Sequence, residues 1–293
     1  MTITATSFST RIRTWLLIAG LTALLIGIGG IIGGGALYLF VALAVVMNVV
    51  GYWFSDRFAL KASRAEPVEP GSVPWLEAEV RDLAARAGVP IPRLYLIPSD
   101  QPNAFATGRN PRHAAVAVTR GLLHDLPHDQ VRGVLAHEFG HIKNRDILVS
   151  SIAAMVAGAI SAIANILQFS LLFGGDDDDN PLGLVGTLAA IIVAPLAAML
   201  LQLAVSRQRE FLADATGARL LGTARPLADA LESLERGAQA MPMAVNGATA
   251  SLYAVSPLPR AGMARLFMTH PPIGERVRRL RALDGQPAVR LAA

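Results

Sequence analysis

The chain of 293 residues contains no cysteine. That absence excludes a disulfide framework, a cysteine zinc site and a thiol nucleophile. Charge is scarce too: 16% of residues are Asp, Glu, Lys or Arg, against 53% hydrophobic. Soluble domains carry about 25% charge, so an ordinary soluble domain and a disordered chain both fit poorly. The net charge is +4, from 26 basic and 22 acidic side chains. A basic balance raises a nucleic-acid partner, but no nucleic-acid-binding motif accompanies it, and that class ranks last.

The missing charge is concentrated in three stretches. None lies between Arg13 and Asp56, between Asp146 and Asp176, or between Asp179 and Arg207. A transmembrane helix needs about 20 predominantly apolar residues. The first stretch therefore holds two spans, near 14–32 and 36–54, broken by the glycines at 29, 30, 33, 34 and 35. A cleavable signal peptide is the weaker reading, because the apolar run is too long and a second span follows it directly. Tyr52 and Trp53 sit where an aromatic belt is expected. The other stretches hold spans near 149–172 and 182–204, joined by a turn carrying Asp176, Asp177, Asp178 and Asp179. Asn165, Gln168 and Gln202 make these two helices less comfortable in lipid, and Pro195 kinks the last. Cations lie before the first span, in 56–146 and after 206, with none in the opposite loops. The positive-inside rule puts both termini and the large loop in the cytoplasm. The four aspartates read as a solvated hairpin on the other side.

The expected fold is thus an α-helical multi-pass membrane protein of four spans with a cytoplasmic α+β domain. Residues 1–55 form the tail and first two spans, 56–146 one cytoplasmic part, 147–205 a membrane hairpin, and 206–293 the second cytoplasmic part. In the cytoplasmic parts, 61–74 reads as a linker rich in proline and small residues. Trp75–Ala87 has helical periodicity closed by Gly88. Arg93–Ile97, Asn103–Gly108 and Ala114–Thr119 read as strands, the last two across a tight turn. A helix opens at Pro127 and runs to about Asn144, with further helices over 206–221, 226–236 and 272–283. Residues 237–262 lack periodicity and read as a loop.

The chemistry rests first on His137, Glu138 and His141, an H-E-x-x-H pattern on the helix after Pro127. Residues four apart share a helix face, so both imidazoles can bind one zinc. Glu138 then stands beside the metal's open position, placed to take a proton from water attacking a peptide carbonyl and pass it to the leaving amine. The bland alternative is a surface helix with two solvated histidines. A third ligand must come from elsewhere, and Glu210 is the candidate: the hairpin formed by the last two spans returns the chain to the first two ligands. A salt bridge to Arg207 is the competing use of Glu210. Asp214 shares a helix face with Glu210 and could hold a ligand histidine by its other ring nitrogen; simple structural pairing explains it equally well. His113, His124 and His128 read as solvated.

The segments Asn103–Gly108, Ala136–Asn144, Ser206–Asp214 and Thr269–Arg276, with the four-span layout, resemble the HtpX-type membrane zinc proteases, relatives of the CAAX prenyl proteases. The resemblance extends over nearly the whole chain. It implies a zinc endopeptidase of membrane-protein quality control and stress response in the bacterial inner membrane, with one zinc per chain. It gives ligand roles to His137, His141 and Glu210 and the base role to Glu138. It makes Asn103, Ala104, Phe105, Ala106, Thr107 and Gly108 the sheet edge on which substrate lies, which suits strand addition through backbone hydrogen bonds; an ordinary hairpin strand is the alternative. His270, before Pro271 and Pro272, either caps the following helix or donates to the developing oxyanion. Arg276 follows the family pattern with its role open.

The partners implied are membrane-protein and unfolded polypeptide substrates and the lipid bilayer, with no nucleic acid. An intramembrane protease would carry its motif within an apolar span, whereas Arg132, Lys143 and Arg145 flank this one. A prenyl-protein processor ranks lower because the chain has fewer spans. A catalytically inactive membrane scaffold would need none of His137, Glu138, His141 and Glu210.

Overall fold

The computed structural model describes residues 35–155, 207–240, 252–255 and 271–284, with isolated helical residues between 19 and 30. The expected third and fourth spans, their acidic turn and His270 lie outside the described residues, except that residues 147–155 are helical.

Helix α1, Ala36–Ala62, begins where the second span was expected but runs eight residues past 54. Its last turns are not lipid-like: Ala59 and Leu60 are buried against Phe105, Ala115, Ala117 and Tyr253, so packing on the sheet extends the helix through the expected boundary at 55. Among the described residues no single helix is long and apolar enough to cross a membrane. Leu37–Val46 and Asn48–Ala62 meet the length and composition requirement together, meeting at a bend of 43°.

The expected linker over 61–74 contains a two-residue strand, β1 (Glu66–Pro67). Helix α2, Pro74–Ala87, places proline in its first turn, where a missing N–H costs nothing, and ends on left-handed Gly88. Strands β2 (Arg93–Ile97), β3 (Ala104–Gly108) and β4 (Ala114–Thr119) complete a sheet of order β1-β2-β4-β3. β2 and β4 run parallel, while β3 and β4 form the antiparallel hairpin, with Ala104 opposite Val118 and Gly108 opposite Ala114. β3 is therefore an edge strand.

Every residue of β3 and β4 is buried, so both faces of the hairpin are covered. Alternation assigns the faces. Ala104, Ala106, Val116 and Val118 face a core shared with Leu76, Leu83, Leu135 and Phe139. Phe105, Ala115 and Ala117 face α1 and Leu252–Tyr253. A short helix α3 (Arg120–Asp125), capped by the Thr119 side chain, leads to helix α4 (His128–Asn144), with Pro127 as its N-cap.

The remaining described helices are α5 (Arg207–Leu221), α6 (Arg225–Ala240) and α7 (Ile273–Asp284). α6 runs four residues past its expected end at 236, into the segment read as a loop. Gly237 lies within this added turn. Its missing side chain serves a close approach, because a Cβ there would collide with the Pro102 ring.

Helices α4 and α5 meet backbone to backbone. A Cβ on Gly140 would lie 2.8 Å from the Ala213 carbonyl oxygen, and one on Gly217 would lie 3.0 Å from the Ala136 carbonyl carbon. This mutual close approach brings the acidic residues of α5 within reach of the histidines of α4.

Candidate active site

α4 buries Val131, Val134, Leu135 and Phe139 on its core side, and the same winding buries His137 and Glu138. His137 is 1% exposed, Glu138 2% and Glu210 3%, so these polar groups need partners. They find them in one another. The two Nε2 atoms of His137 and His141 are 3.2 Å apart. Glu210 Oε1 lies 3.4 Å from His141 Nε2, and Oε2 lies 3.7 Å from His137 Nε2. Donor atoms of the three residues all fall within 4.8 Å of one another.

Zinc bonds of about 2.0–2.2 Å at tetrahedral angles set neighbouring ligand atoms about 3.3–3.6 Å apart. The observed separations fit that edge length, and two imidazoles with one carboxylate are zinc donors. The electrostatics differ between the two histidines. Burial alone lowers the pKa of His141, but Glu210, the Asp146 hydrogen bond and Glu138 outweigh it and lift the pKa to about 9. These carboxylates hold a proton on His141, and that proton must leave before its imidazole can bind a metal. His137 behaves oppositely: burial, then the Arg276 charge, holds it down to about 4, favouring the neutral imidazole a metal needs.

The partners of the ring nitrogens turn the lone pairs inward. His137 Nδ1 is 2.9 Å from Asp214 Oδ1, which favours a proton on Nδ1 and leaves Nε2 for the cluster. Asp214 is itself held by Arg276, whose Nε and Nη2 donate to its two oxygens at 2.9 and 2.7 Å. Arg276 Nη2 stands 3.3 Å from both His137 ring nitrogens, midway between them, so its real acceptor is Asp214. Burial would raise the Asp214 pKa, yet the Arg276 charge and these hydrogen bonds bring it down to about 2. Arg276 is fully buried, and the same acids raise its pKa despite that burial. His141 Nδ1 faces Asp146 Oδ2 at 3.5 Å. Asp146 reaches back because Arg145 adopts a left-handed conformation at the end of α4 and the Asp146 N–H donates to the His141 carbonyl.

Glu138 points toward the sheet edge. The Ala106 backbone N–H donates to its carboxylate, while burial and then the charges around it set its pKa at about 8. The candidate base and the candidate substrate edge are thus in contact.

Of the residues singled out in the sequence, His137, Glu138, His141, Glu210 and Asp214 converge here, with Asn103–Gly108 along one side. His113, His124 and His128 are exposed and remote in role, His128 stacking on Trp75 at 4.0 Å between ring centroids. Sequence reasoning missed Asp146 and the Asp214–Arg276 pairing, which no local spacing signals. It also missed Leu252–Val255, buried beside β3 within a segment read as a loop.

Comparisons with known proteins agree with this geometry. Residues 70–284 match the peptidase family M48. A protein of Pelotomaculum thermopropionicum described as a protease HtpX homolog is 52% identical over 278 residues, covering 93% of this chain and 99% of that protein. A homolog of the same description from Ralstonia pickettii is 48% identical, covering 92% and 95%. Among solved structures, S. mikatae Ste24p shares the fold with a TM-score of 0.50 at 21% identity; the match covers 94% of this chain and 66% of that longer one. The chain belongs to peptidase family M48, and it is a zinc-dependent metalloendopeptidase of the membrane.

Proposed function

We propose that the chain hydrolyses exposed segments of misfolded or damaged membrane proteins at the cytoplasmic face of the bacterial inner membrane. The observation that carries this reading is the convergence of His137, His141 and Glu210 beside Glu138 and the β3 edge. His137, His141 and Glu210 hold the zinc. When bound, zinc supplies a Lewis acid that polarises the peptide carbonyl and acidifies water. Asp214 fixes the His137 tautomer. Glu138 takes a proton from the attacking water and delivers it to the amine nitrogen, so that one carbon–oxygen bond forms, the carbon–nitrogen bond breaks, and a carboxylate and an amine leave. Asn103–Gly108 align the substrate backbone as an added strand, which accepts many sequences. His270 is outside the described residues, but Arg276, six positions on, brings the start of α7 to the site. His270 either caps α7 or donates to the developing oxyanion.

The same reading keeps the four-part organisation, with two spans in 1–55, a membrane hairpin in 147–205, and the site built from 56–146 and 206–293 on the cytoplasmic side. The distribution of cations supports it.

The test is Glu138→Gln in detergent with zinc present. The variant is expected to keep its zinc and lose about 10²–10⁴-fold in cleavage of an unfolded polypeptide. Cleavage at the wild-type rate would reject the mechanism. Zinc content of Glu210→Ala is expected to fall sharply, and unchanged affinity would remove Glu210 from the ligand set.

A further inference from the structure

An endopeptidase has to seat chain on both sides of the bond it cuts, so the outer edge of β3 matters residue by residue. The Thr119 N–H donates to the Asn103 carbonyl at 3.0 Å. Antiparallel alternation then turns the backbone groups of Asn103, Phe105 and Thr107 toward β4, and those of Ala104, Ala106 and Gly108 outward. Each of these three is engaged. The Ala104 carbonyl accepts from the Ala254 N–H at 2.9 Å. The Ala106 N–H donates to Glu138. The Gly108 N–H donates to Ser151 Oγ at 3.3 Å.

Leu252–Val255 lies along this edge. It runs antiparallel to β3, because Ala254 meets Ala104 and Val255 meets Asn103. The Asn103 side-chain amide donates to the Val255 carbonyl at 2.8 Å, and the Val255 N–H returns to Asn103 Oδ1 at 3.4 Å. Arg276 Nη1 donates to the Ala254 carbonyl at 3.0 Å. Tyr253 packs edge-on against Phe105 with ring centroids 5.1 Å apart. All four residues are buried. Ala104 is two positions from Ala106, roughly 7 Å along a strand. A substrate chain crossing Glu138 along β3 would therefore meet Leu252–Val255 within about two residues.

We propose that Leu252–Val255 is an autoinhibitory strap, which occupies the β3 edge in place of substrate and which a substrate strand must displace. The inference rests on Asn103–Gly108 being the substrate edge. An incoming backbone can replace the Ala254 and Val255 hydrogen bonds one for one, so the exchange costs little in polar contacts. The packing of Leu252 and Tyr253 biases the balance toward closure. The Arg276 guanidinium that holds the strap also clamps Asp214 behind His137, so the strap is fastened to the metal cluster itself.

The test uses zinc-loaded Glu138→Gln in detergent, saturated with a fluorescein-labelled unstructured peptide that the wild type cleaves; anisotropy establishes saturation. Amide hydrogen exchange at Ala254 and Val255 is expected to rise about tenfold or more when the peptide binds. Unchanged exchange there, with peptide saturating, overturns the strap. In a second measurement, Ala254→Pro removes the N–H that bonds Ala104. A several-fold higher kcat/KM on the same peptide at wild-type zinc content is expected, and an equal or lower value in the folded variant overturns the proposal. If that variant does not fold, the exchange measurement decides. A wild type that cleaves no peptide counts against the proposed proteolysis instead, and is thereby distinguished from failure of the strap alone.

Discussion

His137 and His141 are four residues apart on one helix, yet different neighbours prepare them. Asp214 with Arg276 stands behind the first, and Asp146 behind the second. Asp214→Asn keeps an acceptor for Arg276 but removes the charge, and should lower zinc affinity by about 10–100-fold. A competitive zinc titration reads this directly, and an affinity equal to wild type would reduce Asp214 to a structural partner. Arg276→Ala strands a buried carboxylate and should cost about 3–5 kcal/mol of stability. The thermal midpoint of the zinc-loaded protein checks it. These two partners mark the limit of what residue patterns disclose. His137, Glu138 and His141 are legible because helix geometry puts positions four apart on one face. Glu210 is legible only by arguing that a membrane hairpin returns the chain. The Arg276–Asp214 pair joins positions 62 apart across two helices, and nothing in the local sequence of either announces it.

The elements with a strong period were legible nearly to the residue. Arg93–Ile97 and Ala114–Thr119 match the observed strands, and the helix beginning after Pro127 ends at Asn144 as expected. β1 was missed because two residues have no period, and the parallel pairing of β2 with β4 is a tertiary choice. The last turn of α6 was not legible because 237–240 carry no apolar period, while the close approach of Gly237 to Pro102 is tertiary. The α4–α5 contact makes the corresponding element prediction. Gly140→Ala would push Ala213 away from α4, costing about 1–3 kcal/mol through overpacking. Since Glu210 rides on α5, zinc content should fall along with the melting temperature. A variant that is destabilised but binds zinc normally would show that the helix spacing does not set the ligand geometry.

On the scale of the whole molecule, the absence of cysteine gives a background-free test of the four-part organisation. With Arg112→Cys and Asp178→Cys made singly, an impermeant maleimide added to intact spheroplasts is expected to label position 178, and to reach 112 only once the membrane is opened. Labelling of 112 from outside would invert the orientation. Chelation should abolish cleavage and lower the thermal midpoint, with both restored by zinc, because a ligand that binds only the folded state stabilises it. The site also has an order in time. Glu210 follows His141 by 69 positions, and Arg276 comes later still. At about 5–20 residues per second, the third donor leaves the ribosome roughly 3–14 s after the second. A growing chain therefore carries its H-E-x-x-H helix for that interval with no complete ligand set. The enzyme is synthesised inert, and its arming waits for the segment between the two halves of the site to be made.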